Sequence, residues 1–206
     1  PSVLGIFFAM NSFLLLHYSK MWVFLFVILS ALFLLKSATM AIGLSAGLIF
    51  ILLCKKKIIP AVIIILLLCS SFFWIKKPNL DRLPIWKQLV EKSVTGRPIV
   101  GCGINYFSHL NVIDKTKTVW KEAHNDPLQI YLELGIVGIL LFFGFIVSKF
   151  REFFRLKYSD LQLYLMAGLV VFLTSTIPMF PMHLPQLSFY AIAQLACLDV
   201  SYGKEI

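Results

Sequence analysis

The chain predicts an all-α, polytopic transmembrane helix bundle of about seven spans, with one structured extracytoplasmic loop that carries a short amphipathic helix. Three observations predict it. Apolar residues make up 59% of the 206 and charged residues only 14%, whereas soluble domains carry roughly a quarter charged residues. The mean hydropathy is +0.87. Several apolar runs approach the roughly 20 residues that cross a bilayer, and short basic clusters separate them.

Taken in order, the candidate spans are 3–18, 21–35, 38–54, 58–75, 127–148, 161–177 and 186–199, with Lys36 alone between the second and third. Residues 1–206 read as a single membrane domain. The chain opens at Pro1, inside an apolar run and without an initiator Met or a cleavable signal, so it reads as a piece of a longer protein. Cys54, Cys69, Cys102 and Cys197 show no C-x-x-C spacing, and three of them lie in apolar runs. Neither a disulfide framework nor a metal site is expected from them.

The basic turns Lys55-Lys56-Lys57 and Lys149, Arg151, Arg155 and Lys157 should face the cytoplasm by the positive-inside rule. Parity then puts the loop 76–126, the Pro178–Pro185 turn and Lys36 outside. A connection of that length should be structured, because bare loops beyond roughly 12–15 residues are uncommon. It holds nine Lys or Arg against five Asp or Glu. Leu83, Trp86, Leu89 and Val90 recur at helical spacing after Pro78-Asn79, which suits an amphipathic helix lying on the membrane surface with Trp86 as its anchor.

The most informative stretch is Ala123-His124-Asn125-Asp126-Pro127-Leu128-Gln129, where the polar loop enters an apolar run. Asp126 reads as an N-cap, Pro127 as the first helical residue and Gln129 as the capping-box partner. His124 then stands just outside a helix mouth, where a partial positive charge and unpaired N–H groups favour an anionic ligand. The residues alone are read at least as well as simple capping with an interfacial histidine. Glu133, about 9 Å into the helix at 1.5 Å per residue, is either a functional carboxylate or one paired with a cation or a backbone donor. Gly135, Gly138 and Gly144 suit close helix packing.

Arg82 and Arg97 are the loop's two arginines and can grip phosphate oxygens through paired hydrogen bonds. Gly101-Cys102-Gly103 marks a tight turn. The chain has no Walker-type phosphate loop, H-E-x-x-H zinc motif or G-x-S-x-G elbow. Nucleic acid is not an expected partner despite the +9 charge, because the basic residues flank apolar spans and suit lipid head groups.

The ordered set Arg82-x-x-x-Trp86, Arg97-Pro98-Ile99-Val100-Gly101-Cys102-Gly103, Phe107, His124-Asn125-x-x-Leu128-Gln129 and Glu133-x-Gly135-x-x-Gly138 resembles the O-antigen ligase and polymerase superfamily. Gly5-Ile6-Phe7 with Asn11 adds a weaker match. The resemblance implies a metal-independent and cofactor-free glycosyltransferase, multi-pass in the bacterial cytoplasmic (inner) membrane. It would act at the outer face on a polyprenyl-diphosphate-linked saccharide and serve a glycan, lipid or protein acceptor. It implies a catalytic His124, a diphosphate clamp of Arg82 and then Arg97, and substrate contacts from Trp86, Asn125 and Glu133. Many members carry Ser-Arg where this chain reads Lys36-Ser37-Ala38, and members are usually longer. Ligase and polymerase both fit, and a carrier or flippase for lipid-linked sugars is the rival.

Overall fold

The computed structural model describes residues 2–18, 38–59, 61–62, 65, 82–95, 97–110, 112–113, 119–120, 123–177, 179 and 181–203. In chain order these form α1 (Ser2–Tyr18), α2 (Ala38–Cys54), α3 (Arg82–Thr95), α4 (Tyr106–His109), β1 (Val112–Ile113), β2 (Val119–Trp120), α5 (Asp126–Arg155), α6 (Asp160–Ser175), a 3-10 turn (Pro181–His183) and α7 (Pro185–Gly203). The fold is helical, as expected. Its exception among the described residues is the two-residue antiparallel pair in which Val112 faces Trp120 and Ile113 faces Val119. Helices occupy the runs expected at 3–18, 38–54, 127–148, 161–177 and 186–199. The run at 21–35 and most of 58–75 lie outside the described residues, as do Cys69 and Lys36.

Among the described residues α5 is the one helix both long and apolar enough to cross a membrane. The apolar helices Val3–Leu15, Thr39–Cys54 and Asp160–Ser175 are shorter, at or below the lower limit of roughly 17 residues for a span.

The chain divides into two compact units, 1–75 with 158–206, and 76–157. In the first, α6 packs against α1, α2 and α7. Small residues let these helices approach closely: a Cβ at Gly47 would meet the Phe13 ring at 2.4 Å, and one at Gly168 would meet the Gln194 amide at 2.6 Å. The end of α2 is tied to the start of α6. Tyr158 Oη donates to Cys54 O at 3.2 Å, and Lys55 Nζ lies 3.1 Å from Asp160 Oδ1. A capping box starts α6: Ser159 Oγ accepts from Gln162 N at 3.3 Å, and Gln162 Oε1 accepts from Ser159 N at 2.6 Å.

In the second unit, Ile85 and Leu89 of α3, Phe107 of α4, Ala123 just before α5 and Leu132 within it form one buried cluster, flanked by Trp86, Tyr106, Leu110 and Leu128. Each large side chain so buried stabilises by roughly 1.5–3 kcal/mol. The amphipathic helix is present, but its buried stripe differs from the expected one. Ile85 and Leu89, one turn apart, face this core, while Val90 is 44% exposed. The Leu83 side chain lies outside the described residues.

Gly135 breaks α5. Its φ of 68° and ψ of −163° are non-helical, in a region open essentially to glycine alone. The break frees carbonyls before it and amides after it, and the loop 97–103 supplies their partners. Cys102 N donates to Leu132 O at 3.0 Å and Gly103 N to Glu133 O at 2.9 Å, while Ile136 N donates to Pro98 O at 2.9 Å and Val137 N to Ile99 O at 3.2 Å. The contact is backbone on backbone. A Cβ on Gly101, at φ 74°, would lie 2.2 Å from Glu133 O, and one on Gly135 would lie 2.3 Å from Ile99 O. Gly135 therefore serves the break rather than helix packing. A Cβ on Gly138 would meet Leu134 of its own helix at 2.3 Å, and one on Gly144 would meet open space.

Gly135→Ala and Gly101→Ala should each lower stability by about 2–4 kcal/mol, through strained φ combined with displaced backbone. The thermal midpoint of the purified protein reads this out. Gly144→Ala is the control and should leave the midpoint unchanged or slightly raised. A Gly135→Ala protein as stable as that control would mean that α5 heals into a continuous helix at no cost.

Candidate functional site

The first turn of α5 is built around Asn125. Its extended backbone, φ −159° and ψ 103°, and its Oδ1, which accepts from Leu128 N at 2.9 Å, make it the N-cap. The cap expected at Asp126 is thus one residue earlier. Asn and Asp cap about equally well, and Pro127 is tolerated in the first turn, so local preference does not separate the two registers. Asp126 becomes the first helical residue and is fully buried, where the helix dipole favours a carboxylate.

The register change moves Gln129 out of the capping box. Its backbone N–H donates to Asn125 O at 3.0 Å. Its side chain instead spans two groups: Oε1 accepts from Ala123 N at 3.4 Å, and Nε2 donates to Glu133 Oε1 at 3.0 Å. Glu133 is 8% exposed, and its side chain is met by this amide, where a cation or a backbone donor was one of the expected partners. Trp86 reaches the same place from α3, its Nε1 donating to Ala123 O at 2.8 Å.

His124 follows Ala123 directly. Its φ is 50°, a left-handed conformation that costs a non-glycine residue roughly 1–2 kcal/mol. The residue is half-buried and its Nδ1 is sealed from solvent. Strain of this kind gathers where surrounding structure over-determines a residue, as functional sites do.

The structure therefore brings together Trp86, His124, Asn125, Asp126, Gln129 and Glu133. Arg97 is exposed, and its side chain makes no hydrogen bond or ion pair among the described residues. Arg82 starts α3, and its side chain lies outside the described residues. The helix mouth also has less to offer an anion than expected. Pro127 has no N–H, and the amides of Leu128 and Gln129 are taken by Asn125. Cys54, Cys102 and Cys197 are free thiols, and no group of three His, Cys, Asp or Glu able to hold a metal occurs among the described residues.

Two contacts were legible only in part. Gln129 and Glu133 are four apart, the spacing at which helical side chains meet, which is a usable signal. The Trp86 bond spans 37 residues and leaves no local trace. Asn125→Ala should destabilise by about 1 kcal/mol, whereas Asn125→Asp should be tolerated. Hydrogen exchange at the Leu128 amide checks this: protection should fall in the alanine variant and persist in the aspartate variant.

No known family profile matches the chain, and no solved structure does. The chain is similar to a Rickettsia felis protein named "Putative polysaccharide ligase", at 31% identity over 90 residues. That stretch is 39% of this chain and 22% of the relative, so the match spans less than a quarter of the relative's length.

Proposed function

We propose that the protein is a multi-pass membrane glycosyltransferase of the O-antigen ligase and polymerase type, working on polyprenyl-diphosphate-linked saccharides outside the cytoplasmic membrane. The observation that carries the reading is His124, held with positive φ directly before the capped start of α5. The ordered resemblance around it and the name of the partial relative support the same chemistry. The membrane setting draws on α5, whose face bearing Ile136, Leu140, Leu141, Phe143 and Val147 is exposed. A patch of that kind suits lipid better than water.

In this reading His124 is the general base. An acceptor hydroxyl attacks the anomeric carbon, and its proton passes to the imidazole as the new C–O bond forms. The bond from the anomeric carbon to the diphosphate oxygen breaks, and the diphosphate departs with that electron pair and with inversion. A positioned base typically contributes on the order of 10²- to 10⁴-fold, and cations on the leaving group contribute at least comparably. Because the mouth of α5 retains so few amides, that second contribution falls to Arg82 and Arg97. Asn125 and Glu133 line the acceptor side next to His124.

Reconstitution of the full-length protein with a polyprenyl-diphosphate-linked oligosaccharide tests the function. A polymerase yields a ladder, and a ligase yields one adduct matching the donor in length. His124→Ala should lower turnover by about 10²-fold or more with donor binding retained. Unchanged transfer in that variant would remove His124 from the chemistry, and movement of intact donor across the bilayer without transfer would favour a carrier instead. Arg82→Ala and Arg97→Ala should each slow transfer, with the larger effect at Arg82.

A further inference from the structure

The backbone at Ala123 is held from both sides. Trp86 Nε1 donates to its carbonyl at 2.8 Å, and Gln129 Oε1 accepts from its N–H at 3.4 Å. Gln129 is itself held, because its Nε2 donates to Glu133 Oε1 at 3.0 Å. Ala123 is 1% exposed and Gln129 5%, so water competes little for these bonds. The Ala123 carbonyl belongs to the same peptide plane as the His124 N–H. The indole therefore fixes the plane about which the His124 φ turns. On the other side of His124, Asn125 is fixed as the cap of α5.

We propose that Trp86 and Gln129 are positioning residues for His124, two side chains from α3 and α5 that hold the two peptides flanking Ala123 and impose the left-handed backbone aiming the imidazole. The proposal rests on the reading of His124 as the general base. It assigns Trp86 a role behind the histidine rather than against the sugar, and it gives Glu133 the task of orienting the Gln129 amide. Nothing in it requires either residue to touch substrate. Aim matters because displacement of a reacting group by about 1 Å can cost on the order of 10²-fold in rate.

The test uses the full-length protein in native membranes, supplied with a synthetic polyprenyl-diphosphate-linked oligosaccharide. Trp86→Phe keeps the ring and removes the donor, and Gln129→Met keeps the length and removes the amide. Each should lower kcat by about 10- to 100-fold with donor KM unchanged. Neither change should add to the loss in a His124→Ala background, since residues acting as a unit are not additive. Leu163→Ala, in the core of α6, controls for lost stability and should leave kcat per folded molecule unaltered. Wild-type kcat in Trp86→Phe and Gln129→Met, with His124→Ala inactive, would overturn the positioning role alone. A raised KM at constant kcat would overturn it by placing Trp86 against substrate. Full activity in His124→Ala would overturn the underlying reading instead. Gln129→Met decides the question where Trp86→Phe does not fold.

Discussion

A helix interrupted in its third turn must find partners for the carbonyls and amides the interruption exposes, and in an apolar setting each one left unmet costs several kcal/mol. In this protein the loop 97–103 meets that demand, giving two amides to the carbonyls of Leu132 and Glu133 and taking two amides from Ile136 and Val137. The exchange is possible only where two backbones can touch, which is why Gly101 and Gly135 face each other across it. Much of the second unit follows from this. The loop cannot drift from α5 without exposing all four groups, so the segment carrying Arg97 stays tied to the helix carrying Glu133.

The same break makes residues 126–134 a short helix pinned at both ends. At one end Asn125 caps it, and at the other the loop 97–103 replaces the missing helical bonds. Between them, Gln129 and Glu133 form a bridge along the helix, and Leu132, on the adjacent face, anchors it in the cluster with Ile85, Leu89 and Phe107. A short helix fixed in this way is a rigid mount. His124 hangs from its start, and its backbone strain is held by tertiary contacts that the local sequence does not contain.

That distribution explains what the sequence reveals and what it hides. Helices over 3–18, 38–54 and 127–148 are legible because each is one apolar run, and α3 is legible because its apolar residues recur at helical spacing. Its packed face is legible in part: of the expected stripe Leu89 is buried and Trp86 packs beside it, Ile85 joins them, and Val90 is exposed. The cap slips from Asp126 to Asn125 for a similar reason: either side chain could accept from the Leu128 amide, from adjacent registers. Gly135 is harder. A glycine in an apolar helix looks alike whether it admits a neighbouring helix or ends the hydrogen bonding, and only the docking of Gly101 separates the two.

The altered cap also changes the electrostatic argument for the site. With Asp126 as cap, the start of α5 presents open amides and a positive end, which by itself would attract a diphosphate. With Asn125 as cap, Leu128 and Gln129 are already bonded, Pro127 has no donor, and the buried Asp126 carboxylate occupies the positive end. Two buried acidic side chains, Asp126 and Glu133, lie on the stretch of α5 between His124 and the break at Gly135. Under the proposed function, that stretch offers a diphosphate leaving group no cation of its own. Under the proposed function, Arg82 and Arg97 are therefore the groups that would offset the charge of the diphosphate, and the side bearing His124 would receive the neutral hydroxyl acceptor.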